Sequence, residues 1–485
     1  MNQLSLSFEK NKTEYTLTVF LFTALILWAM SLFQMANQFP SLFKAQAKTF
    51  VVSQWVLLSI VVLIFFFLRK QLEKLQIQFI KENWSGLLLA CIFFSIYFLF
   101  VSIFNQPAFD VDDIFFDADT FLWRRRFATE LVRDYYFRPV HPFVLILIRP
   151  LVAIFSIFFA GNTLYGAFAL TAFAGALCVF LVWYFIKHFV NDKFYCLLIA
   201  ALFGASAAQL VFSSLIETYI FLAAVALLFI VFLVKDKPLF NLVIAGLAAF
   251  GITISNFGQT VIAHFFIKRN LKQIIAYGLI VTAFIVPLTL LQNFVYPNSQ
   301  PYFWDLTSYQ GEGHNQFPPT LQRAQFLGRV IALHSIVAPQ PLILEEEIPF
   351  LKVWMFRASI KKDPMRLANY ETPLQNITSY AWLIFIVLGA ILFLKNIRKQ
   401  DNRYPITFII ILFFNFALHL RYGKDVFLYS VNWTYALVLF LALAWKEFAN
   451  TIWFQIILLA FIVLLCINNS QLILTMLSTS ALHIK

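Results

Sequence analysis

Residues 85–126 read SGLLLACIFFSIYFLFVSIFNQPAFDVDDIFFDADTFLWRRR. The first twenty carry no charge, and the last eighteen carry five aspartates and three arginines. A bilayer's hydrocarbon core is about 30 Å thick and takes roughly 20 apolar residues of helix. The stretch therefore reads as a spanning helix that leaves the membrane near residue 105 and meets the depth of lipid phosphates with concentrated charge.

The rest of the chain repeats the apolar half of that pattern. It has 485 residues, of which 61% are hydrophobic and 12% charged, with sixty Phe. Mean hydropathy is +0.79. This excludes a soluble enzyme with one anchor and predicts an all-α polytopic membrane protein. Apolar runs near 15–39, 50–68, 84–104, 163–186, 194–212, 216–234, 239–253, 257–268, 273–294, 377–395, 405–420, 427–445 and 451–468 predict about thirteen transmembrane helices.

The net charge of +12 does not point to nucleic acid, because most of the basic residues are spread over short connectors. With the N-terminus inside, those connectors hold eighteen Lys and Arg on the inner side against five in the short outer segments. That asymmetry sets the orientation. Two long outer segments remain, 105–162 and 295–376, and they hold fourteen of the twenty-four acids. Any chemistry faces outward. Cys91, Cys178, Cys196 and Cys466 lie in or beside apolar runs and read as small buried hydrophobes.

Two helices are expected in the first outer segment. Residues 119–137 place Phe121, Ala128, Leu131, Val132 and Tyr135 on one face and Arg126, Glu130, Arg133 and Asp134 on the other, as in a helix lying among headgroups. Residues 141–160, HPFVLILIRPLVAIFSIFFA, are apolar enough to span, but Arg149 would then sit near the bilayer centre at about 2.5–3.5 kcal/mol. A juxtamembrane or re-entrant helix on the outer face is the better reading.

The aspartates Asp110, Asp112, Asp113, Asp117 and Asp119 precede Arg124, Arg125, Arg126, Arg133, Arg138 and His141. The plainer reading is an ion-paired loop that enforces topology. The chemical reading is a carboxylate that takes a proton from an attacking hydroxyl beside cations that stabilise a leaving phosphate. Glu217 opens an apolar run and reads either as a helix N-terminal acid or as a second acid of the same cavity. Asn256 and Gln259, at the next outer turn, read as caps or as cavity lining. Arg421, Lys424 and Tyr429 are further candidates for phosphate contact. His314 and His334 with Glu345, Glu346 and Glu347 match no recognised ligand spacing, so no metal site is assigned.

The acidic pair Asp112-Asp113, the FFDADT stretch ending at Asp119-Thr120, the helix after it and HPFVLILIRPL from His141 together resemble the GT-C fold of membrane glycosyltransferases. Protein O-mannosyltransferases and the lipid A aminoarabinose transferase are members of that superfamily. The resemblance implies four sections. Residues 1–83 add two helices, 84–294 form the catalytic transmembrane core, 295–376 are a large outer loop, and 377–485 are C-terminal helices. It implies inverting transfer of a sugar from a polyprenyl-phosphate donor to a hydroxyl of a glycan, lipid-linked saccharide or protein. Asp113, Asp112 or Asp119, in that order, would be the base. Arg124, Arg138, His141 and Lys424 would hold the donor phosphate, and Asp110, Glu217, Asn256 and Tyr429 would line the cavity. It leaves a divalent cation, Mg2+ or Mn2+, open. The implied setting is a bacterial inner membrane, among membrane lipids, with the site facing the periplasm. An O-antigen polymerase or ligase and a non-enzymatic lipid or sugar transporter are the alternatives.

Overall fold

The computed structural model describes residues 2–42, 78–107, 114–133, 138–346, 350–358, 365–399 and 401–483. The expected span 50–68 and the expected site residues Asp110, Asp112 and Asp113 lie outside these residues.

The chain is built of helices. In order they are α1 (Asn2–Asn37), α2 (Gln78–Phe104), α3 (Thr120–Ala128), α4 (Val144–Ser156), α5 (Thr163–Phe189), α6 (Lys193–Ala205), α7 (Ala207–Phe212) and α8 (Thr218–Val234). They continue as α9 (Leu239–Ile252), α10 (Phe257–Lys268), α11 (Leu271–Val295), α12 (Leu321–Arg329), α13 (Pro373–Asn396), α14 (Arg403–His419), α15 (Val431–Ala444) and α16 (Ile452–His483). The strands β1 (Leu342–Glu346), β2 (Phe350–Trp354), β3 (Phe356–Arg357) and β4 (Arg366–Leu367) form two small antiparallel pairs in the second long outer segment.

Among the described residues, six helices are long and apolar enough to cross a membrane: Lys12–Asn37, α2, α5, α11, α13 and α16. Six shorter apolar helices, of 10–17 residues, complete the bundle: Val144–Phe159, α6, α8, α9, α14 and α15. At 1.5 Å per residue the 14 residues of α9 reach only about 21 Å. Most of the expected spans after residue 190 thus fall in the short class.

Burial separates a centre from a rim. The apolar windows of α2 and α5 are 78% buried, whereas those of α11 and α13 are 22% buried. Small residues let the central helices close up. A Cβ on Gly86 would sit 2.3 Å from the Trp183 ring, and one on Gly204 would sit 2.6 Å from Phe93.

The break between α6 and α7 at Ser206 shows why one expected span is two helices. Ala207 and Ala208 donate their backbone N–H groups to the carbonyls of Ile336 and Ser335, 3.0 Å each. Residues 335–338 are fully buried there. Asn469 of α16 holds them, accepting from the Ala338 N–H (2.9 Å) and donating to the Ile336 and Ala205 carbonyls (2.8 Å each). Irregular backbone inside a helical bundle is stable only when its polar groups are paired in this way.

The helix expected over 119–137 is shorter than its pattern suggests, and this is a correction. It ends at Ala128, with Thr129 extended. The Arg149 guanidinium of α4 takes the carbonyls of Arg126 (2.9 Å) and Thr129 (2.6 Å) and so occupies the acceptors at the helix end. Arg126, expected on the polar face, is fully buried and donates to Gln300 (2.9 Å). Asp134 and Tyr135 lie outside the described residues. The same contacts explain how an arginine is tolerated in the apolar run 141–160. That run is the 13-residue α4, about 20 Å long, with Arg149 pointed at α3.

Candidate functional site

At the end of the bundle called outer here, after the charge asymmetry, five segments meet: 114–120, Arg138, the start of α8, 312–316 and 419–429. The first loop is placed by a strand-like rung. Val353 of β2 donates to the Ile114 carbonyl (2.8 Å), and the Phe116 N–H donates to the Val353 carbonyl (2.7 Å). Phe116 and Asp117 then both take left-handed backbone, φ 59° and 60°. Such residues cost about 1–3 kcal/mol each. Burial of the Phe116 ring against Phe427 (5.1 Å) and Phe212 (6.3 Å) offsets that cost. The turn delivers the Asp117 carboxylate to 3.7 Å from the Lys424 ammonium.

Two residues on, the Asp119 N–H donates to Glu217 Oε1 (2.7 Å), while Glu217 Oε2 accepts from the Thr218 N–H (2.9 Å). Glu217 is therefore the N-terminal acid of α8, and through its second oxygen it also fixes the aspartate loop. The Asp119 carboxylate accepts from Arg138 Nη1 (3.1 Å). Arg138 Nε lies 3.9 Å from Glu312 Oε1, and Glu312 Oε2 accepts from the Tyr422 hydroxyl (2.7 Å). Burial, and then Glu312, push the Tyr422 phenol pKa up, so it remains a donor. His314 stands on the same short segment as Glu312. Burial and then the cations Lys424 and Arg138 hold its pKa below the usual imidazole value.

The connector after α14 is shaped by Gly423, at φ +98°. A Cβ there would lie 2.5 Å from the Tyr429 ring. Gly423→Ala is expected to lower stability by about 1–3 kcal/mol, from the forbidden backbone and the collision together. Thermal unfolding of the purified protein in detergent measures this, and a midpoint equal to wild type would contradict it. Tyr429 lies buried beneath the cluster, stacked on His419 (4.3 Å) and edge-on to Tyr219 (4.9 Å).

The expected phosphate contacts separate into two kinds. The side chains of Arg138 and Lys424 are 28% and 34% exposed, so both can meet a ligand. Arg124 is buried and donates to the Gln106 carbonyl (2.8 Å) just beyond α2. His141 is buried under Trp123, with Nδ1 at the Ile252 carbonyl. Burial lowers its pKa to about 3, so its ring is neutral. Both hold the first outer segment against its neighbours.

Asn256 and Gln259 lie deeper, in a narrow crevice lined also by Ala223, Ala226, Asn432 and Tyr435. Gln259 accepts from the Tyr435 hydroxyl and donates to Asn256 (2.5 Å each). Neither Asn432 side-chain polar atom has a hydrogen-bond partner among the described residues. His334 is fully buried against Tyr370, while Glu345 is exposed. Among the described residues no three His, Cys, Asp or Glu side chains group as metal ligands.

Glu312 and Tyr422 were not singled out by sequence reading. The acid between two glycines in GEGHN was the available signal for Glu312; Tyr422 had none. The chain matches no family model, no curated protein and no solved structure.

Proposed function

We propose that the chain is an inverting membrane glycosyltransferase of GT-C type, with its catalytic core in 84–294 and its site at the outer face. A polyprenyl-phosphate sugar is the donor, and a hydroxyl of a glycan, lipid-linked saccharide or protein is the acceptor. Asp113 or Asp112, with Asp119 as third candidate, removes the hydroxyl proton. The oxygen attacks the anomeric carbon, and the carbon–oxygen bond to phosphate breaks with inversion. The polyprenyl phosphate leaves with that electron pair, and Arg138 and Lys424 stabilise its charge.

The observation that supports this reading is the meeting of Asp117, Asp119, Glu312, Arg138 and Lys424 at one end of the bundle. Two partly exposed cations beside carboxylates suit a reaction in which a proton and a phosphate part company. Product analysis with a panel of polyprenyl-phosphate sugars tests it. Wild type transfers one of them, and at least one of Asp112→Asn, Asp113→Asn and Asp119→Asn loses transfer, by about 10²–10⁴-fold for the base itself. Full activity in all three variants would sink the proposal. Polymer formation that survives the double change at 112 and 113 would favour a polymerase or ligase.

A further inference from the structure

The two faces of α11 differ sharply. Tyr277, Val281, Ile285, Thr289 and Gln292 are buried, while Leu271, Ile275, Leu279, Leu290 and Phe294 are exposed. On a helix long and apolar enough to span, the second set is a lipid-facing stripe. That stripe does not stop where the helix does. Phe294 is 83% exposed, and beyond it Tyr302, Trp304 and Leu306 are exposed too, Leu306 at 81%.

These side chains stand on an anchored segment. Ser299 and Gln300 are buried, and Gln300 is tied to Arg126 of α3. Phe303 packs edge-on to Phe250 of α9 (5.5 Å). With Phe303 turned inward, its neighbours Tyr302 and Trp304 turn outward and stack on each other at 4.7 Å, with an interplanar angle of 11°. Stacked Tyr and Trp at the mouth of a spanning helix are the side chains that settle at the headgroup level, where an apolar ring and a polar edge are both accommodated. Asp305, between Trp304 and Leu306, limits the depth. Its carboxylate accepts from the Thr307 N–H (3.0 Å) and hydroxyl (2.6 Å) but stays open to solvent, which suits headgroups and not hydrocarbon.

We infer that residues 294–306 form a lip that inserts Tyr302, Trp304 and Leu306 into the headgroup layer of the outer leaflet. The occupant of this apolar surface is the bilayer, because exposed apolar side chains resume at Tyr302 just beyond the end of the lipid-facing stripe of α11. The lip ends six residues before Glu312, so it brings the edge of the outer cluster to membrane level. A lipid-borne molecule would then arrive there from the side.

The test uses the full chain in proteoliposomes with an environment-sensitive fluorophore on single introduced cysteines. Leu306→Cys is the test site, Leu279→Cys the lipid-facing reference, and Ile343→Cys on β1 the aqueous reference. All three positions are exposed, so the substitutions leave the core unchanged. At 306 the emission is expected between the two references, with quenching by nitroxide-bearing lipid several-fold stronger than by aqueous iodide. Iodide quenching at 306 as strong as at 343 would overturn the inference. Quenching at 306 that is insensitive to both agents would do the same, since it would mean a protein partner covers the lip. None of these readings depends on sugar transfer, so they stand or fall apart from the proposed activity.

Discussion

Arg323→Met is expected to lower stability by about 3–5 kcal/mol, the range for stripping one partner from a buried charged network. The Arg323 guanidinium is fully buried. It donates from Nε to the Leu420 carbonyl (2.9 Å) and from Nη2 to the carbonyls of His419 (2.9 Å), Tyr422 (3.0 Å) and Gly423 (2.8 Å). Its Cζ lies 4.5 Å from the Phe317 ring centre and 5.2 Å from that of Phe356. Burial lowers its pKa to about 10, so it is still a cation at neutral pH. A cation at the C-terminal carbonyls of α14 also complements the helix dipole. Methionine fills the volume and pairs none of those carbonyls. Arg323→Lys keeps the charge but lacks the planar fork, and is expected to recover only part of the loss. Denaturant or thermal unfolding of the two variants against wild type measures it; equal midpoints for all three would refute the account. Because Tyr422 and Lys424 hang from the same connector, loosening it also releases the Tyr422–Glu312 bond.

The second large effect is one of pH. Asp425 is fully buried and accepts from the backbone N–H groups of Met355 (2.8 Å), Phe427 (2.9 Å) and Phe356 (3.2 Å). Burial raises its pKa to about 7, outweighing those three donors, which act in the other direction. Between an ordinary Asp value near 4 and 7, the folded protein therefore holds a proton that the unfolded chain has released. The stability from this group is fully present below about pH 4, falls as pH rises to 7, and is level above it. At 1.36 kcal/mol per pKa unit, wild type should lose on the order of 3 kcal/mol between pH 5 and pH 8 through Asp425. Asp425→Asn, which cannot ionise, should remove that slope. The measurement is the wild-type minus variant difference in unfolding free energy across the range; a difference independent of pH would rule the assignment out. Since Asp425 joins β3 to the connector that carries Lys424, the same titration loosens the floor of the outer cluster.

Several elements were legible from residue order alone because a local sum decides them. Twenty uncharged residues make α2 a spanning-length helix wherever it sits, and the charge after residue 109 says where it must end. Glu217 was readable as a helix N-terminal acid from its place before an apolar run. The short α3 was not readable, because its hydrophobic period runs on to 137 while its end is set by a guanidinium from α4. The break at Ser206 was equally hidden. Its N–H groups are satisfied by carbonyls of residues 335 and 336, held by one asparagine of α16. Arg124 and His141 read as ligand contacts because they are basic residues near an acidic loop; that each also meets a backbone carbonyl, of Gln106 and of Ile252, was not readable from that pattern.

By itself, then, the order of residues determined that this is a helical membrane protein, that charge gathers in two long connectors, and that aspartates follow the first of its central helices. Those are properties of hydropathy and charge summed over neighbouring positions. Only the tertiary structure decided that Asp117 faces Lys424, that Asp119 and Glu312 share Arg138, and that Glu217 holds the loop between them. The physical reason is that an ion pair or a hydrogen bond forms within about 4 Å, and which groups come that close depends on how helices far apart in the chain pack.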